Sequence, residues 1–172
     1  MNLFLPSMYK KSIYTIDYSK LKKANIRYLI FDLDNTIGLI KETEPSIKTK
    51  KLFQELSANF EIIVISNNTK KRVTSFLMGL DITLVSFAFK PFTKGLRKIS
   101  KKFNCSKEEM IIIGDQLLTD ILAGKRYKIK TILVDPLGKK DLAITSISRL
   151  IEKKIFNYYK KQGLLERGKY YD

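Results

Sequence analysis

The chain has 172 residues, of which 44% are hydrophobic and 29% charged, a composition typical of a globular protein that folds as a single domain. It contains no histidine and one cysteine, Cys105, which excludes an internal disulfide, catalytic triads that use histidine and metal sites that need imidazole. A cysteine phosphatase loop would need an arginine six positions after Cys105, where the chain has Ile111. Catalysis would therefore rely on carboxylates, lysine, hydroxyl groups and a metal ion.

The charge balance is strongly basic. Lysine and arginine number 33 against 17 acidic residues, which gives a formal net charge of +16. This charge predicts affinity for nucleic acid, anionic lipid or an acidic partner, although a coding bias towards lysine would explain it equally well. The first residues do not read as a secretory signal, and no apolar stretch approaches the roughly 20 residues that cross a bilayer. We therefore expect a cytoplasmic protein that can lie on the inner face of a membrane without spanning it.

Residues 1–25 form a basic arm with four aromatic residues, Phe4, Tyr9, Tyr14 and Tyr18. Aromatic side chains commonly anchor such a segment against the body of a protein, and we favour packing of the arm on the sheet. The alternative is that its basic and aromatic side chains dock the protein on an anionic membrane.

Five apolar runs rich in β-branched residues follow, with segments of helical periodicity between them. The runs are Tyr28–Leu33, Glu61–Ser66, Ile82–Phe87, Met110–Ile113 and Thr131–Val134. The helical segments are Ile47–Phe60, Arg72–Met78, Phe92–Phe103 and Leu117–Gly124. Because nearly continuous apolar strands alternate with helices, residues 26–138 are predicted to form an α/β core. We expect a three-layer, doubly wound (Rossmann-like) parallel sheet of about five strands.

Residues 139–163 are predicted to form a basic amphipathic helix, followed by a frayed tail that ends at residue 172. One side of the helix carries Ile147, Leu150, Ile151, Ile155 and Tyr158, and the other carries Arg149, Lys153 and Lys160. We expect this helix to pack on the edge of the core, with membrane docking as the alternative. The arm, the core and the helix are predicted to make one domain, residues 1–172.

Polar residues follow several of the predicted strands at the point where each apolar run ends. They are Asp32 and Asp34 after the first strand, Ser66 and Asn67 after the second, Lys90 in the loop after the third, and Asp115 and Asp120 after the fourth. Ligands of open α/β sheets bind beyond the carboxyl ends of the strands, so we expect these side chains to line one crevice. Each alone is common in turns, helix caps or on the surface, whereas their joint occurrence in this order favours a catalytic site.

These residue types suit phosphoryl transfer. Asp32 would attack phosphorus as a nucleophile that is ionised at neutral pH, and Asp34 would act as general acid and base if its neighbours raise its pKa. Lys90 and the Ser66 hydroxyl would bind the phosphoryl group.

The same crevice offers the hard oxygen ligands that Mg²⁺ prefers. Asp32, Asp115 and a main-chain carbonyl near Asp34 would hold the ion, and Asp120 would bind it directly or through water. The sequence therefore predicts Mg²⁺ as the cofactor.

The strand-end motifs resemble those of the haloacid dehalogenase superfamily. They are Phe31-Asp32-Leu33-Asp34-Asn35-Thr36, Ile65-Ser66-Asn67, Lys90-Pro91 and Gly114-Asp115 with Asp120. The resemblance implies a phosphatase that passes through an aspartyl-phosphate intermediate. By this resemblance the catalytic residues are Asp32, Asp34 and Lys90, the substrate-binding residues are Ser66, Asn67 and Lys90, and the magnesium ligands are Asp32, Asp34, Asp115 and Asp120.

Over about residues 3–160 the chain is similar to the YqeG-type branch of capless phosphatases. Phe4-Leu5-Pro6 and the run from Gly114 to Asp120 contribute to this similarity. The branch is similar to the mitochondrial and plastid phosphatidylglycerophosphate phosphatases. One departure is that Phe92-Thr93-Lys94 follows Lys90-Pro91, where the branch usually has a Gly-Arg-type sequence. Lys94 is therefore an alternative to Lys90 as the phosphate-binding lysine.

The spacing of the motifs leaves no room for a cap domain. Only 31 residues separate Asp34 from Ser66, and 23 separate Ser66 from Lys90, and predicted helices and strands use most of them. Gly38–Glu44 would form at most a short flap over the entrance. An open site favours a phosphate that is carried on a large or membrane-bound substrate.

Together with the resemblance, this favours hydrolysis of phosphatidylglycerophosphate, a lipid phosphate, at a membrane surface. Two alternatives stay open. One is a phosphatase of a soluble nucleotide, a sugar phosphate or a phosphoprotein, and the other is a basic RNA- or ribosome-associated binding protein.

Overall fold

The computed structural model describes residues 3–138 and 143–170, with the side chains of residues 143–149 outside that description. At its centre is a sheet of six parallel strands in the order β1-β6-β5-β2-β3-β4. The strands are β1 (Met8–Lys10), β2 (Tyr28–Asp32), β3 (Glu61–Ile65), β4 (Thr83–Val85), β5 (Met110–Gly114) and β6 (Lys130–Val134). The predicted parallel α/β sheet is confirmed, with one strand more than expected.

Six α-helices accompany the sheet. They are α1 (Tyr18–Lys23), α2 (Ile47–Ser57), α3 (Lys70–Phe76), α4 (Lys94–Phe103), α5 (Leu122–Tyr127) and α6 (Ala143–Lys161). Single 3₁₀ turns occur at Ile13–Thr15 and Lys107–Glu109, and a π-helical turn at Leu117–Ile121 leads directly into α5. Helices α2 to α5 each lie between consecutive strands of the sheet, as the alternating pattern of the sequence predicts.

Helices cover both faces of the sheet because successive side chains of each strand point to opposite sides. On one face Phe31 of β2 packs against Phe53 of α2, with ring centroids 5.1 Å apart. On the other face Ile30 of β2 belongs to the apolar cluster that contains Leu96 of α4 and Ala123 of α5. The central strands are therefore buried on both sides, which explains their nearly continuous apolar sequence.

The additional strand comes from the N-terminal arm. Residues Met8–Lys10 pair in parallel with β6, with Met8 opposite Ile132, and Tyr9 is buried beneath the C-terminal region. The interpretation that the arm packs on the sheet is therefore confirmed. The count of about five strands missed this one because a three-residue edge strand has too few residues to show a periodic pattern.

Helix α6 is present, although residues 139–142 of the predicted segment 139–163 lie outside the described residues. The side of α6 that faces the core differs from the predicted one. Phe156 and Tyr159 are buried, and Glu152 accepts a hydrogen bond from the backbone N–H of Leu118 at 3.2 Å. No helix in the described ranges is both long and apolar enough to span a bilayer.

The apolar residues that the periodicity placed on one side of α6 are therefore largely on the surface. Leu150, Ile151 and Tyr158 are exposed, and Ile155 is partly buried. The prediction that this side packs on the core was wrong for Leu150, Ile151 and Tyr158, whereas Ile155 does pack against a buried apolar cluster. The reason is that the aromatic residues Phe156 and Tyr159 join Tyr9 and Leu165 in a separate apolar cluster.

The segment after α6 folds back onto the sheet as far as the description extends. Leu165 is buried, and Asp135, just after β6, accepts hydrogen bonds from Tyr170 and from Arg167, the latter at 3.3 Å. Tyr9 donates to the same carboxylate at 2.5 Å. The expectation of a frayed tail was wrong for residues 164–170, because this shared carboxylate ties the tail to the arm.

Candidate active site

The carboxyl ends of β2, β3 and β5 lie side by side. Asp32 ends β2 and pairs in register with Ile65, the last residue of β3. On the other side, Phe31 is in register with Ile113, near the end of β5. The polar residues that follow these strands therefore start from neighbouring positions at one edge of the sheet, as predicted.

Asp32, Asp115 and Asp120 form a buried carboxylate triad at this edge. One oxygen of each lies within 4.8 Å of the others, close enough for a single cation to contact all three. Asp120 comes from the π-helical turn and approaches the backbone of Gly114 closely, since a Cβ at residue 114 would lie 2.3 Å from the Asp120 carboxyl carbon. The backbone N–H of Gln116 donates to the Asp120 carboxylate at 3.2 Å. Glycine at the end of β5 therefore makes room for the third carboxylate.

Lys90 lies against this triad. Its ammonium group donates to the carboxylate of Asp32 and, at 2.6 Å, to that of Asp120, and its side chain is only 3% exposed. The peptide bond between Lys90 and Pro91 is cis. Lys94 is exposed in the first turn of α4. Of the two lysines that the sequence left open, Lys90 is therefore the one in contact with the carboxylates.

Asn67 and Ser66 connect the end of β3 to the loop that carries Lys90. The Asn67 side chain accepts a hydrogen bond from the backbone N–H of Lys90 at 2.7 Å and donates to its carbonyl at 3.0 Å. The Ser66 side chain is buried, and its hydroxyl oxygen accepts from the backbone N–H of Asn68 at 3.1 Å. Asn67 therefore holds the main chain of Lys90 in place, a contact that the sequence did not indicate.

The charged groups of the triad and Lys90 shift one another's pKa values. Burial, together with the carboxylates of Asp120 and Asp34, raises the pKa of Asp32 to about 7 against the opposing effect of Lys90. Burial by itself would lower the pKa of Lys90, but the carboxylates of Asp120 and Asp32 outweigh burial and raise it. The Lys90 ammonium group therefore contacts two of the three carboxylates, those of Asp32 and Asp120. Further positive charge at this position would favour the ionised Asp32 that nucleophilic attack requires.

Asp34 is placed differently from the other three aspartates. Its carboxylate accepts hydrogen bonds from Asn68 and from the guanidinium of Arg72, the latter at 3.1 Å. Burial raises the pKa of Asp34, whereas Arg72, Lys90 and Asn68 act to lower it. The direction of this shift agrees with the expectation from the sequence, but its cause is burial instead of the neighbours that the sequence suggested. The Asp34 side chain is not among the three carboxylates that could share a cation.

Arg72 is the site residue that the sequence did not reveal. Besides Asp34, its guanidinium donates to the carbonyls of Leu39, Ile40 and Glu42, at 3.3, 3.0 and 2.5 Å respectively. These carbonyls belong to the predicted flap at Gly38–Glu44, so a single side chain ties the flap to Asp34. In the sequence Arg72 reads as an ordinary surface residue in the first turn of a helix. Only its position shortly after the motif around Ser66 could have drawn attention to it.

Comparison with known families places the chain among hydrolases. The model of the haloacid dehalogenase-like hydrolase family matches residues 38–134, a region that begins just after Asp34. The chain is 35% identical to the probable phosphatase YqeG of Bacillus subtilis over 164 residues, which cover 95% of both chains. The match to this relative also includes most of the N-terminal arm and β2, which ends at Asp32.

Two more distant relatives are phosphatidylglycerophosphate phosphatases. The chloroplastic enzyme of Chlamydomonas reinhardtii is 28% identical over 79% of this chain, and the chloroplastic/mitochondrial enzyme of Arabidopsis thaliana is 25% identical over 93% of it. The matched region spans about half of each of these longer proteins, 54% and 49%.

Solved structures support the fold. An uncharacterised protein of Listeria monocytogenes superposes with a TM-score of 0.54 at 13% identity, over 75% of this chain and 99% of its own. The cobalt-bound deoxy-D-mannose-octulosonate 8-phosphate phosphatase of Haemophilus influenzae gives a TM-score of 0.51 at 16% identity, over 77% and 90%. The family match and the 35% identity to a bacterial relative go further than shared fold. The chain therefore belongs to the haloacid dehalogenase-like hydrolase family and is one of its phosphatases.

Proposed function

We propose that the protein is a magnesium-dependent phosphomonoester hydrolase that works through an aspartyl-phosphate on Asp32. The observation that carries this proposal is the buried triad of Asp32, Asp115 and Asp120 in contact with Lys90. A nucleophilic carboxylate can approach a phosphate dianion only where positive charge offsets their mutual repulsion. The triad and Lys90 provide such a place at the end of the sheet where ligands of this fold bind.

The donor atoms of the triad suit a small divalent cation. All three are carboxylate oxygens, which Mg²⁺ prefers, and the main-chain carbonyl of Asp34 is our proposed fourth protein ligand. When bound, the ion would neutralise charge on the phosphoryl oxygens and so favour attack on phosphorus by Asp32.

The chain's own residues would then carry out two displacements. In the first, an Asp32 carboxylate oxygen bonds to phosphorus as the bond to the leaving oxygen breaks, and Asp34 donates a proton to that oxygen. In the second, Asp34 takes a proton from water, the water oxygen bonds to phosphorus, and the acyl-phosphate bond breaks to restore Asp32. Lys90 and Ser66 would stabilise the charge on the transferring group.

We further propose phosphatidylglycerophosphate as the substrate and the inner face of the cytoplasmic membrane as the place of action. Two of the relatives carry this activity in their names. The site also lies at the carboxyl ends of the strands. The connections between these strands, which lie within the described residues, consist of the flap and single helices, so none of them contains a cap domain. An entrance of this kind admits a phosphate that projects from a lipid surface.

A substrate panel tests the proposal. Phosphate release is measured from phosphatidylglycerophosphate in mixed micelles and from glycerol 3-phosphate, a nucleoside monophosphate and a sugar phosphate at matched phosphate concentrations. We expect kcat/KM for the lipid to exceed that for the soluble compounds by about 100-fold, since contacts with the rest of the lipid headgroup would add to the binding of the phosphate. EDTA should abolish the release and added Mg²⁺ should restore it.

Three outcomes would contradict parts of this proposal. A higher kcat/KM on a soluble compound would identify a phosphatase of small metabolites. Turnover that is indifferent to EDTA would remove the metal from the mechanism. The absence of turnover on every compound, together with salt-dependent RNA binding that persists in Asp32→Asn, would favour the RNA-associated alternative.

A further inference from the structure

Three phenylalanines in the loop that carries Lys90 expose their rings to solvent. Phe87, Phe89 and Phe92 are 51%, 57% and 68% exposed. We call residues 86–93 the aromatic loop. Single exposed apolar residues are common, but three within six positions, all next to a buried active-site lysine, form a patch that is typical of a contact surface.

The backbone of the aromatic loop is held firmly, so the exposure of the rings is built into the structure. The N–H groups of Phe87 and Ala88 donate to the carbonyls of Asn68 and Ser66 at 3.1 and 3.0 Å. The N–H of Phe92 donates to the carbonyl of Phe89 at 2.8 Å. The Asn67 contacts to Lys90 described above add to this network.

Two of the phenylalanines adopt an unfavourable backbone conformation. The φ angles of Phe87 and Phe89 are +48° and +53°, in the left-handed region that bulky residues rarely occupy. Glycine or asparagine would fit there with less strain. Ala88 between them is buried, whereas the two rings stack with centroids 6.5 Å apart on the outside. The loop thus keeps large apolar side chains in strained positions where they contribute nothing to the core.

The surroundings of the aromatic loop are basic. Residues 82–107 contain seven lysines and arginines and no aspartate or glutamate. Lys94 and Arg97 are exposed at the start of α4, directly after the loop, and Arg126 donates to the carbonyl of Pro91 at 3.3 Å. Asp81 lines a pocket together with Ser86, but Lys70, Lys98 and Lys102 line the same pocket, so cations predominate beside the loop. An apolar patch beside such cations complements a surface that is both anionic and apolar beneath its charges.

We propose that the aromatic loop is the membrane-docking surface of this protein and that it binds bilayers containing anionic lipid. Phenylalanine rings would enter the interfacial region, and the flanking lysines and arginines would contact lipid phosphates. Because the same loop carries Lys90, docking would bring the carboxylate triad to the level of the headgroups. The inference deepens the proposed function by naming how a lipid phosphate would reach the site.

Vesicle co-sedimentation tests the docking surface without any substrate or turnover. The protein is mixed in EDTA with vesicles of phosphatidylglycerol and phosphatidylcholine, or of phosphatidylcholine alone. We expect binding to the anionic vesicles and about tenfold weaker partitioning for Phe87→Asn/Phe89→Asn/Phe92→Gln, because each ring lost removes apolar burial at the interface. Asparagine suits the left-handed positions, so this variant should fold.

The matched control is Met78→Gln. Met78 is 80% exposed and follows α3, which runs away from the site. It therefore lies near the amino ends of the strands, opposite the site. This change should leave vesicle binding within about twofold of the unaltered protein. If the triple variant does not fold, Phe92→Gln alone replaces it in the vesicle assay, because the φ angle of Phe92 is not in the left-handed region. Hydrolysis of p-nitrophenyl phosphate by the Phe92 variant should also stay within about twofold, since the ring lies outside the catalytic cluster.

Phe92→Trp gives a direct readout, because the chain contains no tryptophan. Its fluorescence should shift to shorter wavelength when anionic vesicles are added, as expected for an indole that enters the interface. Unchanged fluorescence, or equal vesicle binding by the triple variant, would overturn the proposal. It would also be overturned if Leu150→Gln/Ile151→Gln in α6 abolished binding instead, or if light scattering showed that the loop variants dissociate an oligomer. Vesicle binding without lipid hydrolysis would contradict the proposed substrate but not the docking surface.

Discussion

Asp32 and Asp34 stand two residues apart at the end of one strand, yet the protein surrounds them differently. The Asp32 carboxylate faces two further carboxylates and one buried lysine. The Asp34 carboxylate faces an arginine and an amide at the edge of the flap. Burial raises the pKa of both, but the neighbouring acids add to the effect at Asp32, whereas Arg72 opposes it at Asp34.

The different surroundings would let one short motif supply the two chemical roles that we propose. A divalent cation within the triad would favour ionisation of Asp32, the state that a nucleophile needs. Asp34 lies outside the triad and keeps its own set of hydrogen-bond donors, so its proton can move separately. In the proposed mechanism the two residues would therefore differ in function because of the elements packed around them, not because of their position on the strand.

Asp32→Asn should have the largest effect. The amide cannot form the acyl-phosphate, so we expect phosphate release to fall by about 10⁴-fold or more, because removal of a nucleophile typically has an effect of this size. The measurement is steady-state phosphate release, with thermal unfolding as the check on folding. Asp81→Asn, an exposed acid in the connection between α3 and β4, is the control and should retain full activity. Activity retained by Asp32→Asn would remove Asp32 from the role of nucleophile.

Asp34→Asn should have a smaller effect of a different kind. Loss of a general acid and base typically slows turnover by about 10²- to 10⁴-fold. Because Asp32 remains, the protein should accumulate a phosphoryl group that is stable in acid and released by base. Intact-protein mass measurement after acid quenching detects it, and the Asp32→Asn/Asp34→Asn double variant should show none. If Asp34→Asn loses activity without any accumulation, its role lies before the first displacement.

Much of the triad could be predicted from the sequence because two of its members, Asp32 and Asp115, stand where an apolar strand ends. The change from Ile and Phe to Asp at residue 32, and from Ile and Gly to Asp at residue 115, marks the end of a buried strand. Parallel pairing then brings those ends together without further information. Asp120 needed one more element, the turn after β5, and its distance from Asp115 along the chain is short enough to be predicted.

The contacts between distant segments could not be predicted in this way. Arg72 bonds to Asp34, which lies 38 positions earlier, and to carbonyls of a loop that has no periodic pattern. The buried side of α6 was also missed, because amphipathic spacing shows that a helix has an apolar side but not which residues a returning tail will cover. The tail is held in place by the Asp135 carboxylate, which accepts hydrogen bonds from Tyr9, Arg167 and Tyr170. These residues are far apart in the sequence, so the contact is visible only in the structure.

Arg72→Gln sharpens the comparison at the Asp34 side and should have the smallest of these effects. Glutamine cannot bridge Asp34 and three flap carbonyls at once, so Asp34 should lose its fixed orientation. We expect kcat to fall by about 10- to 100-fold, the range typical of a misplaced catalytic group, with a smaller change in KM. Hydrogen exchange should become faster at the backbone amides of residues 39–42.

Arg72→Lys separates positioning from charge. Lysine keeps the positive charge beside Asp34 but lacks the planar group that reaches several acceptors, so it should restore little of the lost kcat and none of the protection of the flap. Arg97→Gln, an exposed arginine on α4, is the control and should change neither quantity for a soluble substrate. Full rescue by lysine would mean that Arg72 acts on Asp34 only through its charge. Unchanged hydrogen exchange in the flap would show that the three carbonyl contacts do not fix the position of Asp34 for proton transfer.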